Sequence, residues 1–225
     1  MINIIAGFLI GLVFIVESCV WYVRSMSAFE YRSKAISTSN IVMYATRVLL
    51  IGYQIILNYR IESGGGLREV LLVALVGMIV ALVGHLLLFY NKKILSVAWS
   101  LFLWIFKRLK IIEIVEYEEE VYAPNFSLSW HHVVIASAFS TIALLLVYIT
   151  PQVFAALYAS YRLTLSSIGQ VISFLGMVVT LFFLDPALFK MHDKGGIRQG
   201  FSMYLSGRLV GLAISVISLI PCIYN

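Results

Sequence analysis

Apolar runs of near membrane-spanning length recur along the chain, parted by short polar stretches. They cover residues 2–23, 35–57, 70–90, 133–150, 163–184 and 202–222. A helix rising 1.5 Å per residue needs roughly 20 apolar residues to cross a bilayer, so each run predicts a transmembrane helix. The boundaries carry stop and start signals. Ser37, Thr38, Ser39 and Asn40 are expected caps for the second helix. Gly64-Gly65-Gly66 marks a flexible turn, Pro151 a stop or kink, and Asp185-Pro186 an abrupt end. A seventh apolar stretch, within residues 94–110, is too short to cross. Its Trp99 and Trp104 and the flanking Lys and Arg predict a helix lying in the membrane interface. Residues 111–131 form the one long polar connection, with an acidic cluster from Glu113 to Glu120. The fold expected is a single all-α polytopic membrane bundle of about six transmembrane helices plus one interfacial helix.

Composition strengthens this. The chain of 225 residues is 61% hydrophobic and only 12% charged, against about 25% charged in a soluble domain. Its mean hydropathy is +0.97. The net charge of +5 is not a nucleic-acid signal, because the basic residues sit in short loops between apolar runs. They read as topology determinants and contacts to lipid headgroups. The first run lacks a basic leader and a small-residue cleavage site, so it is expected to be retained as a span.

The loops set the orientation. Those after the first, third and fifth runs hold eleven Lys and Arg, and those after the second and fourth hold only Arg60, Arg68 and Arg162. The positive-inside rule puts the first set in the cytoplasm and both termini outside. His131-His132 are expected at the outer interface, at the start of the fourth span.

Charges inside the runs point to chemistry. Glu17 lies in the first run and Arg47 near the middle of the second. A charged group at mid-membrane costs roughly 2.5–3.5 kcal/mol on insertion scales. Glu17 and Arg47 therefore form either a buried pair that ties two helices, or two walls of a polar cavity for a charged substrate. Arg24 follows Glu17 by seven residues, about two turns, and shares its helix face. It suits a topology anchor or a phosphate contact equally. A similar unit recurs late in the chain. Asp185 ends a run, a basic turn follows, and Arg208 lies in the next run. The text echoes too, with MYATRVLLIG at 43–52 and MYLSGRLVGL at 203–212, as expected of an internal repeat. Two guanidiniums facing one cavity suit a diphosphate, since each offers planar paired donors. The turn from His192 to Arg198 is either a headgroup cradle or a solvated loop.

Other residues carry less. His85 is either a hydrogen-bonded interior histidine or a proton relay. Cys19 and Cys222 have neither a CxxC partner nor a nearby His, and read as free thiols. HExxH spacing and a Walker A loop are both missing, and no Ser/His/Asp set assembles. The expectation is a protein that is not an enzyme and needs no cofactor.

The residues Glu17-Ser18, Tyr22-Val23-Arg24, Arg32 and Lys34 leading to Ser37-x-Ser39-Asn40, and Thr46-Arg47 together resemble the N-terminal signature of the Amj family, the alternate lipid II flippases of bacteria. Asp185-Pro186, the polar turn and the Arg208 span are similar to that family's C-terminal end. The resemblance implies a six-span protein of the bacterial cytoplasmic (inner) membrane. It would carry an undecaprenyl-pyrophosphate-linked sugar, lipid II or a related lipid-linked oligosaccharide, from the cytoplasmic to the periplasmic leaflet for cell-envelope synthesis. Glu17, Arg24, Asn40, Arg47, Asp185, Arg198 and Arg208 are the implied substrate-binding residues, with the two carboxylates holding the cations when substrate is absent. Protonation of Glu17 is the simplest coupling. The alternatives are a transporter of small anionic solutes and a non-catalytic membrane subunit of an envelope-synthesis complex. The acidic 113–120 segment would be the docking site of such a subunit.

Overall fold

A computed structural model describes residues 2–26, 32–90, 93–94, 96–97, 100, 104, 124–126, 131–161, 164, 178, 182, 184–193 and 197–224. Six helices organise them. They are α1 (Ile2–Met26), α2 (Arg32–Glu62), α3 (Leu67–Tyr90), α4 (His132–Leu157), α5 (Asp185–Asp193) and α6 (Ile197–Tyr224). A short 3-10 turn, Ala159–Tyr161, follows α4. No strand occurs among the described residues. Four segments, Ile2–Tyr22, Leu67–Tyr90, His132–Leu157 and Arg198–Tyr224, are long and apolar enough to cross a membrane. The described residues are helical apart from short connections, and the four long apolar helices make the chain a multi-pass membrane protein. Of the other two expected spans, 35–57 lies within α2 and 163–184 lies largely outside the described residues, as do the interfacial helix at 94–110 and most of the polar loop at 111–131.

Close approach of backbones sets the packing. A methyl group added at Gly7 would sit 2.7 Å from Val76 Cγ1, and one at Gly11 would sit 2.8 Å from the Gly77 carbonyl oxygen. On the other side, one added at Gly211 would sit 2.7 Å from the Ala138 carbonyl oxygen. Small residues four apart thus seat α1 on α3 and α6 on α4. This is the usual device where helices have lipid for a competitor and gain by van der Waals contact.

These contacts also fix direction. Gly7 meets Val73 while Gly11 meets Gly77, so α1 and α3 are parallel. Gly207 meets Val134 and Gly211 meets Ala138, so α4 and α6 are parallel. Trp21 stacks near Tyr204 while Phe14 lies beside Arg208, so α1 and α6 are antiparallel. The start of α4 therefore shares one end of the bundle with the end of α1 and the start of α6. That is the end where Arg24 and Lys190 lie, not the opposite face, which corrects the outer placement of His131-His132. His131 caps α4 there, its Nδ1 accepting from the Val133 N–H at 3.3 Å.

Two more boundary expectations are corrected. Helix α2 begins at Arg32, so Ser37 to Asn40 lie inside it rather than capping it. Of the stop or kink expected at Pro151, the stop is corrected, since α4 continues to Leu157. Proline removes one backbone bond and crowds the turn before it. The Tyr53 hydroxyl donates to the Tyr148 carbonyl at 3.4 Å in that turn. At the far end, Gly64 takes φ 92, which glycine alone adopts freely. Arg60 grips Glu69 with two bonds, Nε at 2.9 Å and Nη2 at 2.7 Å, and closes the α2–α3 hairpin.

The core falls into two apolar clusters. One holds Ile10, Phe14, Tyr53, Leu57, Val73 and Ile149, and the other holds Trp21, Tyr22, Leu184, Leu188, Phe201 and Tyr204. Between them runs a buried polar layer. It takes Glu17 and Ser18 from α1, His85 from α3, Ser137 and Thr141 from α4, and Ser206 and Arg208 from α6.

Candidate functional site

The polar layer is built around one ion pair. Arg208 Nη2 lies 2.8 Å from Glu17 Oε2, and the two side chains are 3% and 11% exposed. The same Nη2 is 3.4 Å from the Phe14 carbonyl oxygen, and the guanidinium sits over the Phe14 and Tyr204 rings at 5.2 and 5.5 Å. Arg208 Nε has no hydrogen-bond partner among the described residues. The Tyr148 hydroxyl faces the Glu17 carboxylate, and Arg47 is its second cation. Behind the pair, His85 Nδ1 donates to the Ala81 carbonyl at 2.7 Å. That leaves His85 Nε2 to accept from the Ser18 hydroxyl, also at 2.7 Å.

About two turns along α1, toward the end shared by Arg24 and Lys190, lies a second charged group. Arg24 is buried, donates to Asn40 Oδ1 at 2.6 Å, and lies 4.5 Å from the Trp21 ring centre. Asp185, in the first turn of α5, faces Arg24. Burial pushes the Asp185 carboxyl up to about 6, against the opposing pull of Arg24. Asp185 Oδ1 is buried and has no hydrogen-bond partner among the described residues.

Of the two readings of Glu17 and Arg47, the direct pair is corrected: Glu17 bonds to Arg208, while Glu17 and Arg47 both line one cavity. Asp185 faces Arg24. The carboxylate of each end of the chain thus meets a guanidinium of the other end. Helices α1 and α6 run antiparallel, so residues 191 positions apart can touch.

A cavity of about 240 Å³ joins the two groups. Glu17, Arg24, Asn40, Arg47, Asp185 and Arg208 all line it, six of the seven residues singled out from the sequence. Arg198 is not among the lining residues, and stands exposed near the start of α6. Trp21, Tyr44, Thr46, Tyr148 and Tyr204 complete much of the wall. Those five are uncharged residues of apolar runs; Thr46, beside Arg47, carries a sequence signal through the family signature, and Tyr44 and Tyr204 hold matching positions in the two echoing stretches. Tyr44 is 72% exposed and marks the mouth. It heads a stripe of exposed apolar residues on α2 that continues through Val48, Ile51 and Ile55.

The cavity lining is cationic on balance. It presents three guanidiniums against two carboxylates, a net of one positive charge. Among the described residues no three His, Cys, Asp or Glu group to hold a metal ion. Fold and site together define a multi-pass helical membrane protein with a charged cavity between two apolar layers. Comparison with family models, with curated proteins and with solved structures finds no match for this chain.

Proposed function

We propose that the cavity holds the phosphate-bearing headgroup of a lipid-linked sugar, and that the protein is a flippase for it. The observation that carries this is the position of Tyr44. It lines the charged cavity and also heads the exposed apolar stripe of α2. A cavity for a small anion needs no opening toward hydrocarbon. A cavity for an amphiphile needs a side opening, so that the headgroup meets cations while the tail stays in hydrocarbon. The second arrangement fits the α2 face, and favours a lipid over a small anionic solute.

The chemistry follows from the charges. Arg24, Arg47 and Arg208 offer planar donors that match phosphate oxygens. With the cavity empty, Glu17 and Asp185 neutralise two of them. A bound phosphate group takes over that role, so no guanidinium is left buried and unpaired at either stage. In the six-span topology that we propose, the end bearing Arg24 and Asp185 faces the cytoplasm by the positive-inside rule. The headgroup then enters from the cytoplasmic leaflet of the inner membrane. The resemblance to the Amj family makes an undecaprenyl-pyrophosphate-linked sugar, lipid II or a relative, the substrate. No covalent step is assigned to the chain.

Complementation tests this. Wild type, Arg47→Ala and Glu17→Gln are expressed at equal membrane levels in a bacterium depleted of its own lipid II flippases. Wild type is expected to restore growth and Arg47→Ala to fail. A well-expressed wild type that does not restore growth contradicts the lipid II assignment.

A further inference from the structure

We propose that Asp185 sets the charge of the headgroup that the cavity accepts, and that a diphosphate diester enters together with one proton, which Asp185 Oδ1 takes from water. This rests on the headgroup site proposed above and adds a residue, a proton count and a charge class to it.

The two carboxylates of the cavity are not alike. Glu17 is committed, with a 2.8 Å bond to Arg208, the Tyr148 hydroxyl facing it and Arg47 as a second cation. Asp185 is less well held. Its Oδ1 is buried in the cavity wall with no hydrogen-bond donor among the described residues. Among the described residues, two titratable groups lie close to Asp185. Arg24 stands against it from α1, and the Tyr204 hydroxyl is near it from α6. Across the cavity lie Glu17, Arg47 and Arg208, with Asn40 of α2 beside Arg24.

The charges then decide which ligand fits. With both carboxylates ionised the lining carries one net positive charge, which a single phosphodiester neutralises. A diphosphate diester carries two negative charges, and would leave one unbalanced in a site walled by apolar side chains. Uncompensated charge in such a site is expensive. A proton on Asp185 raises the lining to two net positive charges and restores the match. It also changes what Asp185 offers. Ionised, its oxygens only accept and oppose a phosphate. Protonated, the O–H donates to a phosphate oxygen, and Arg24 is released to bind the headgroup.

The sign of the pH dependence follows. Burial already brings the empty-state carboxyl up to about 6. Above that value binding of a dianion must take up a proton, so affinity falls as pH rises, by up to about tenfold per unit. Below it the proton is already present and affinity levels off.

The test uses the full chain in lipid nanodiscs. The probes are farnesyl-diphospho-N-acetylglucosamine and farnesyl-phospho-N-acetylglucosamine, diesters whose own charges do not change between pH 5 and 8. The diphosphate probe is expected to bind wild type about tenfold or more tighter at pH 6 than at pH 8. Calorimetry in buffers of different ionisation enthalpy should show close to one proton taken up at pH 8. The monophosphate probe should show no such tightening. Asp185→Asn should bind the diphosphate probe with little pH dependence, and at pH 8 about as tightly as wild type does at pH 6. Zero proton uptake by wild type, a measurement that needs no variant to fold, overturns the proposal. So does a pH slope that survives in Asp185→Asn. Failure of wild type to bind either probe at any pH instead overturns the headgroup site itself, and this inference with it.

Discussion

At the scale of single residues, the decisive event is an exchange of partners. Glu17 and Arg47 stand out in the sequence because a charge in an apolar run demands a partner. Pattern alone offers Arg47, in the next apolar run, as a partner or as the facing wall of a cavity. The structure assigns Arg208 instead, 191 positions away, because α6 lies antiparallel against α1. Removing one member of a buried pair leaves the other uncompensated, at a cost of roughly 3–5 kcal/mol. Glu17→Gln and Arg208→Gln should therefore each lower the thermal stability of the purified protein strongly. The double variant should recover much of the loss. The pair Glu17→Gln and Arg47→Gln should behave closer to additively. The opposite ranking in a double-mutant cycle would show that Arg47 is the direct partner.

At the scale of elements, the apolar runs were legible because a bilayer demands length and hydropathy, which a sequence displays directly. Helix ends were less so. Helix α2 starts at Arg32, before the apolar run, since a helix can extend beyond the hydrocarbon into the basic end. The caps proposed at Ser37 to Asn40 failed for that reason, and Asn40 instead accepts from Arg24. Pro151 was a fair stop signal, yet α4 runs through it, with Tyr53 donating to a carbonyl of the crowded turn. Glycine spacing is the feature that sequence patterning passed over. Gly207 and Gly211 admit the backbone of α4, and neither site leaves space for a side chain. Gly211→Leu is expected to separate α4 from α6 and destabilise the fold by more than the roughly 1–3 kcal/mol typical of overpacking, since backbone rather than a side chain must move. Ser218→Leu, nearer the exposed end of α6, should be tolerated. Equal stability of Gly211→Leu and wild type on heating in detergent would contradict the close packing.

At the scale of the whole molecule, two apolar layers enclose a polar one, and the cavity opens from that layer toward the exposed stripe of α2. Six of the seven residues read from the sequence meet there, because each charge or amide stands out against its surroundings. Arg198, in the basic turn, stands exposed outside the cavity lining. Trp21 and Tyr148 leave no mark, since an aromatic ring in an apolar run looks the same whether it faces lipid, core or a cavity. The crosswise pairing joins both ends of the chain through one site. A ligand that displaces Glu17 and Asp185 from their guanidiniums would thus loosen α1 from both α6 and α5 at once, the kind of two-state element that alternating access requires.

The most direct test is transport by the purified protein. Vesicles carrying the full chain would be loaded with a fluorescent undecaprenyl-diphospho-N-acetylglucosamine in both leaflets, and dithionite added outside. The inner-leaflet fluorescence is expected to be lost in vesicles with wild type, and about tenfold or more slowly with Arg47→Ala, which removes one of the guanidiniums proposed to bind phosphate. Wild-type vesicles that protect their inner leaflet as fully as protein-free vesicles would contradict the proposed transport.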